Sequence, residues 1–295
     1  MLDFCMTAVE QGLIFAIMVL GVYITYKILD FPDLSVDGTF PLGGAITAFM
    51  ITKGVSPYAA LPVSFLIGAF AGMITGIIHV KLKVRDLLAG IIMSTALYSV
   101  NLRIAGTANL PFFTKDTIFS KSMFRTMFDG SISKFAVLIV SLILVIVLKL
   151  LLDWYLKTRS GYLLRATGDN ATLVTSLGKD NGLVKIIGLS LANGFAALSG
   201  CVYVQEEGYF DVSMGTGMVV LSLASVIIGI SIFKHLPKVK ATTAVIVGSI
   251  IYKFCVSLAI RYGLKASDMK LVISILFLVI LILTRERNRR VKTNA

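Results

Sequence analysis

Two runs limit what this chain can become. "FAVLIVSLILVIVLKLLL" (Phe135 to Leu152) and "LVISILFLVILIL" (Leu271 to Leu283) are long, apolar and nearly uninterrupted. A helix needs about 20 apolar residues to cross a bilayer. Inside hydrocarbon the backbone must satisfy its own polar groups, so such runs fold as helices. Of the 295 residues, 57% are hydrophobic and 15% charged, against about a quarter charged in soluble domains. The expectation is an all-α polytopic membrane protein, one transmembrane domain over residues 1–295.

Hydropathy places about nine spans (eight to ten), near 10–29, 41–54, 57–78, 86–104, 133–155, 182–205, 215–233, 237–260 and 269–284. The second is short and the seventh opens on "MGTGM", so both are expected as discontinuous helices. "HVKLKVR" (His79 to Arg85), the 156–181 connection, "FKHLPKVK" (Phe233 to Lys240) and the C-terminal tail are basic, hence cytoplasmic, while "QEEGYFD" (Gln205 to Asp211) is acidic, hence external. Nine crossings then leave the N-terminus outside and the C-terminus in the cytoplasm. Orientation accounts for the net charge of +12 better than nucleic acid does. The N-terminus has no charged n-region or small-residue cleavage site, so the first helix is expected to be its own targeting signal. Cys5, Cys201 and Cys255, an odd set in apolar surroundings, read as buried free thiols. The connection from Arg103 to Lys134 is long enough to form a small external cap.

One loop breaks the charge rule. "DFPDLSVDGTFPLGG" (Asp30 to Gly44) falls on the basic side yet is acidic. Its core, "DLSVDGT" (Asp33 to Thr39), is echoed by "DVSMGT" (Asp211 to Thr216), and each copy precedes a short or broken span. Paired interruptions mark a transport site, with the two sites facing opposite sides of two inverted halves, spans 1–4 and 6–9. Intramembrane carboxylates mark function by default. Asp33, Ser35, Asp37, Gly38, Asp211, Ser213 and Gly215 are therefore candidates for the translocation path, although Asp37-Gly38 reads equally well as a cap or turn. "GAFAGMITG" puts Gly68, Gly72 and Gly76 on one helix face for close packing. Asn193 is expected to bond between helices, and Lys253 to snorkel outward. His79 and His235 lack a second ligand at metal spacing, so no metal is expected. No phosphate-binding G-x-x-x-x-G-K-[ST] occurs, nor any catalytic constellation.

The last patterned stretch is "KTRSGYLLRATGDNATLVTSLGKDNG" (Lys157 to Gly182). Asp169 or Asn170 can cap a helix beginning at Ala171, and Gly178 can end it. Leu173, Val174 and Leu177 would form one apolar face that wants a partner, with Arg165, Lys179 and Asp180 flanking it. The run Gly161, Arg165, Ala166, Gly168, Asp169, Asn170, Ala171 and Leu177-Gly178 resembles the coupling segment, here 157–181, of permease subunits of ATP-binding-cassette importers. The branched-chain amino acid and ribose type is closest, and "LSVDGTFPLGGAITA" (Leu34 to Ala48) looks like its second-span start. Asp33, Ser35 and Asp37 depart from the branched-chain pattern and look more like the aromatic amino-acid (tryptophan or tyrosine) importer subgroup.

That resemblance implies a permease subunit in the bacterial plasma (inner) membrane, carrying an amino acid or similar small solute. It implies ATPase subunits docked on Arg165, Gly168, Asp169, Asn170, Leu173, Val174, Leu177 and Gly178. ATP and Mg would be used on those partners, with no cofactor on this chain. An external substrate-binding protein or lipoprotein, a second permease copy and membrane lipid complete the expected partners. The rival reading is an ion-coupled secondary transporter using Asp33, Asp37 and Asp211, which leaves the Arg165 to Gly178 segment unexplained.

Overall fold

The structure, a computed structural model, describes residues 2–119, 135–176, 178–234, 236, 239–261 and scattered positions between 271 and 282. Helix α1 (Leu2–Val22) runs directly into a π-helical turn (Tyr23–Ile28). After an irregular segment come α2 (Val36–Thr52), α3 (Pro57–Val80) and α4 (Asp86–Ala105). Strand β1 (Asn109–Pro111) follows, then α5 (Ala136–Tyr155), α6 (Arg159–Asp169), α7 (Ala171–Ser176) and α8 (Asn181–Glu207). Strand β2 (Tyr209–Asp211) leads through a 3₁₀ turn (Val212–Gly215) into α9 (Met218–Phe233), and α10 (Ala241–Arg261) is the last continuously described helix.

Local chemistry sets several of these boundaries. Pro57 opens α3, where its missing N–H costs nothing. Asp180 caps α8 by accepting from the amides of Gly182 and Leu183 at 2.8 and 3.3 Å. Of the 103–134 connection expected as an outer cap, residues 120–134 lie outside the described residues; in the described part β1 pairs antiparallel with β2, Asn109 opposite Asp211. Phe112 beside them is buried, while Phe113 stays exposed.

Seven helices among the described residues are long and apolar enough to cross a membrane. Helix α2, with 17 residues, is an eighth and shorter one. The count therefore departs from nine; the expected last span, 269–284, lies mostly outside the described residues. The first and seventh spans begin earlier than hydropathy suggested, because α1 starts at Leu2 and a 3₁₀ turn precedes α9.

Helices α1 and α8 form the centre of the bundle. Ile14, Phe15, Ile17, Met18 and Leu20 of α1 are buried on every face, as a helix apolar all round must be. Helix α8 packs against α1, α2 and α3. Small residues allow the closest approach: a Cβ on Gly72 would collide with the Leu189 carbonyl and lie 2.7 Å from Asn193 Cβ. Hydroxyls replace water between the helices, Ser199 donating to Ile14 O and Ser249 to Gly12 O, both at 2.8 Å. The outer helices α3, α4 and α5 expose Leu66, Phe70, Ile92 and Leu150.

Two expectations are corrected. Lys253 does not snorkel: its Nζ lies 4.0 Å from the Phe15 ring centroid, where the ring face attracts the cation. Cys5 is exposed and Cys255 half-buried, so only Cys201 of the three free thiols is buried.

The contact between α3 and α8 gives a first prediction. Gly72→Leu should destabilise by about 1–3 kcal/mol or more through overpacking, lowering the apparent thermal midpoint of the detergent-purified protein. Phe70→Leu, on the exposed face of the same helix, should leave it unchanged.

Candidate functional site

The irregular segment between the π-helical turn and α2 is the most polar part of the interior. Its backbone begins with Phe31 N donating to Thr25 O at 2.9 Å, while Asp30 turns the chain with φ +51°. The Phe31 ring packs edge-on against His79, centroids 5.0 Å apart. His79 Nδ1 lies 2.9 Å from Val84 O, so this histidine serves the helix end. No group of metal-ligating side chains assembles among the described residues.

Asp33, only 4% exposed, is held by donors on both oxygens. Its Oδ1 accepts from Ser35 N at 2.8 Å and Ser35 Oγ at 2.6 Å. Its Oδ2 accepts from Asn193 Nδ2 at 2.7 Å. Thr39 Oγ1 reaches Asn193 Oδ1 at 2.7 Å, and Ser35 Oγ lies 3.0 Å from the same oxygen. A hydroxyl has one proton, and the shorter contact to the carboxylate is the stronger claim on that of Ser35. Asn193 stands midway along α8. It therefore anchors the start of α2 at mid-length of the central helix, as an interhelical hydrogen-bonding residue should.

The echo between the two stretches is structural. Asp211 Oδ1 accepts from Ser213 N at 2.8 Å and from Ser213 Oγ, the same Asp-x-Ser turn that Asp33 makes. In the first copy Asp33 and Ser35 are buried; in the second Asp211 is half-buried and Ser213 exposed.

The two copies do not stand at opposite faces, as topology alone required; they meet. Asp37 Oδ1 accepts from Val219 N at 2.8 Å, and its Oδ2 lies 3.4 Å from Gly217 N. A carboxylate from α2 thus caps α9, where the helix dipole favours it. Pro41 has no N–H, so the Asp37 carbonyl lacks its helical donor. Gly215 packs directly on that carbonyl, and a Cβ there would collide with it. The irregular segment runs back into the bundle before α2 begins, which brings the two interruptions together.

A cavity of about 340 Å³ lies at this junction, its wall including Asp37, Gly38, Tyr98, Asn101, Ser213 and Thr216. Asn101 Nδ2 donates to Gly38 O at 3.0 Å, while its Oδ1 has no partner among the described residues. Asn101 was not singled out in the sequence, although it is the one amide side chain in α4. Asp33 and Ser35 lie behind this wall, and Gly215 and Asp211 support it without lining it.

The family described as "Branched-chain amino acid transport system / permease component" matches residues 5–283. The chain belongs to this family. A tyrosine transport system permease protein of Clostridioides difficile is 45% identical over 98% of this chain and 94% of its own. An uncharacterized protein of Rickettsia prowazekii is 34% identical over 94% of this chain and 96% of its own. A probable branched-chain amino acid transport permease of Methanocaldococcus jannaschii is 28% identical over 65% and 63%. No solved structure matches.

In this permease the 157–181 stretch holds two helices, not one. The sequence pattern does not reveal α6, whose last residue is Asp169; Asn170, the other expected cap, directly precedes α7, which begins at Ala171 as expected. The signal for α6 lay upstream: Thr158 accepts from Gly161 N at 3.3 Å and caps it. Asn170, extended at φ −156°, separates it from α7, and Gly178 takes the left-handed φ of +71°. The expected face splits. Val174 is buried against its own chain, while Leu177 and the side chain of Leu173 lie outside the described residues. The glycines of the motif have a clear role: a Cβ on Gly161 would collide with the Leu156 backbone, and one on Gly168 with the Ile28 carbonyl. Helix α6 is thereby seated on the π-helical turn from which the polar segment departs.

The two Asp-x-Ser turns should differ in weight. Asp33→Ala orphans buried donors, each costing about 1–3 kcal/mol, and should lower the thermal midpoint well below that of Asp211→Ala, whose donors reach solvent.

Proposed function

We propose that this permease forms the membrane path for an aromatic amino acid, tyrosine foremost, in an ATP-driven importer. The observation that carries this reading is the meeting of two interrupted helices on one cavity. Backbone at such a break survives in a bilayer only inside protein or beside water, and transport sites are built there. The Asp37 carboxylate suits an ammonium group, the Thr216 hydroxyl on the wall can donate to a carboxylate, and Tyr98 offers a ring. The relatedness to a tyrosine transport permease supports the substrate class.

Asp37, Gly38 and Ser213 are then path residues. Asp33, Ser35, Asp211 and Gly215 hold them in place. The end carrying α6 and α7 faces the cytoplasm and receives partner ATPases, which bind ATP and Mg. The C-terminus lies on the same side. The β1–β2 ribbon faces outward, toward a substrate-binding protein or lipoprotein. A second permease copy, surrounded by lipid, completes the path in the bacterial plasma membrane. ATPase closure acts on α6, passes through the Gly168 contact to Ile28, and so reaches the segment holding Asp33 and Asp37.

The test is uptake of labelled tyrosine into proteoliposomes carrying the permease with its ATPase and binding protein. Uptake should require ATP. Asp37→Ala should lower it about tenfold or more, since a hydrogen bond to a charged group is worth about 1.5–3 kcal/mol, while the ATPase still co-purifies. Uptake driven by a sodium or proton gradient without the ATPase, or unchanged uptake by Asp37→Ala, would sink the proposal.

A further inference from the structure

A second polar cavity, of about 320 Å³, opens at the end of the bundle that carries α6. Its wall joins the last turn of α5, the π-helical turn, α6 and the start of α10, and includes Tyr23, Asp153, Lys157, Tyr162, Arg165 and Lys240. The one carboxylate there is already matched. Asp153 lies 2.9 Å from Lys240 and 3.4 Å from Lys149, and accepts from Thr242 Oγ1 at 2.7 Å. Lys157 and Arg165 have no carboxylate partner among the described residues. Two unmatched cations on a wall shared with Tyr23 and Tyr162 make a site for an anion with several acceptor oxygens, which a guanidinium fork recognises best.

Depth selects the anion. Trp154, 67% exposed, and Tyr155 mark the end of the spanning helix α5, and such aromatics sit at the headgroup level. On the adjacent face of α5 an apolar groove of about 500 Å³ runs between α3, α5 and α8, lined by Leu61, Phe65, Leu148, Leu152, Tyr155 and Leu191.

We propose that the Lys157–Arg165 cavity binds the phosphate headgroup of an anionic phospholipid, with an acyl chain in the neighbouring groove. Basic pockets between spanning helices suit such headgroups. Because Arg165 belongs to α6, the bound lipid pins that helix to the membrane surface. The site is independent of which solute the permease carries, and its test involves neither uptake nor ATP.

Full-length permease in mild detergent is mixed with phosphatidylglycerol or phosphatidylcholine, and retained lipid is counted by native mass spectrometry. Wild type should hold phosphatidylglycerol on the order of tenfold more strongly than phosphatidylcholine. Lys157→Gln/Arg165→Gln should lose that preference, whereas Lys81→Gln/Lys83→Gln, with the same charge loss in another loop, should keep it. If the double variant does not fold, Lys157→Gln alone, at an exposed position, should show a partial loss. Unchanged preference in the cavity variants, or an equal loss in the Lys81/Lys83 control, overturns the proposal. So does inorganic phosphate binding at the cavity with no preference for phosphatidylglycerol, which would make the site one for free phosphate.

Discussion

The Asp33–Asn193 hydrogen bond is what allows a helix to be broken inside this bundle. The segment between the π-helical turn and α2 leaves its backbone outside any ladder, at mid-length of the central helix. In hydrocarbon each unsatisfied group there would cost several kcal/mol. Asp33 and Ser35 close the turn on themselves, and Asn193 offers an amide donor to Asp33 and an acceptor to Thr39. Every side chain of that set is buried, so the network has the full strength, and the full vulnerability, of a low-dielectric interior.

Once that segment is fixed, the neighbouring geometry follows. Helix α2 starts where Asp37 can cap α9, and Gly215 can lie on the carbonyl that Pro41 leaves without a donor. The cavity is the space left where these two breaks meet α4. In the other direction, Phe31 and Ile28 connect the same segment to His79 and to Gly168 on α6. A shift of α6 therefore has a packed route toward the cavity wall, which starts at the backbone contact of Gly168 with Ile28. Interfaces packed this closely move between discrete arrangements rather than deforming smoothly.

Much of this was legible in the sequence, and the reasons are specific. Long apolar runs announce spanning helices because lipid permits little else. The Asp-x-Ser echo announces paired breaks because the turn is made by the residues of the motif itself. Gly68, Gly72 and Gly76 announce a close helix contact because their spacing is that of one face. What stayed hidden depends on partners distant in the chain. Asn193 reads as a generic bonding residue until Asp33, 160 positions away, is placed beside it. Asn101 carries no local pattern at all. Lys253 looks free to reach water because nothing nearby in sequence points to Phe15 on another helix. Helix α6 was missed because its glycines suggest a loop, when they record tight seating against α5 and the π-helical turn. The two turns were assigned to opposite faces because hydropathy counts crossings and cannot see a segment that runs back into the bundle.

Asn193 holds the broken segment and, through Asp37, the start of α9. Hydrogen exchange of the permease in lipid nanodiscs, read by mass spectrometry, tests this directly. In wild type, peptides covering 33–44 and 212–222 should exchange slowly despite the turns with which they begin. Asn193→Leu should release both together and leave the α10 peptides as slow as before. Fast exchange of 33–44 in wild type, or slow exchange that survives Asn193→Leu, would contradict the account.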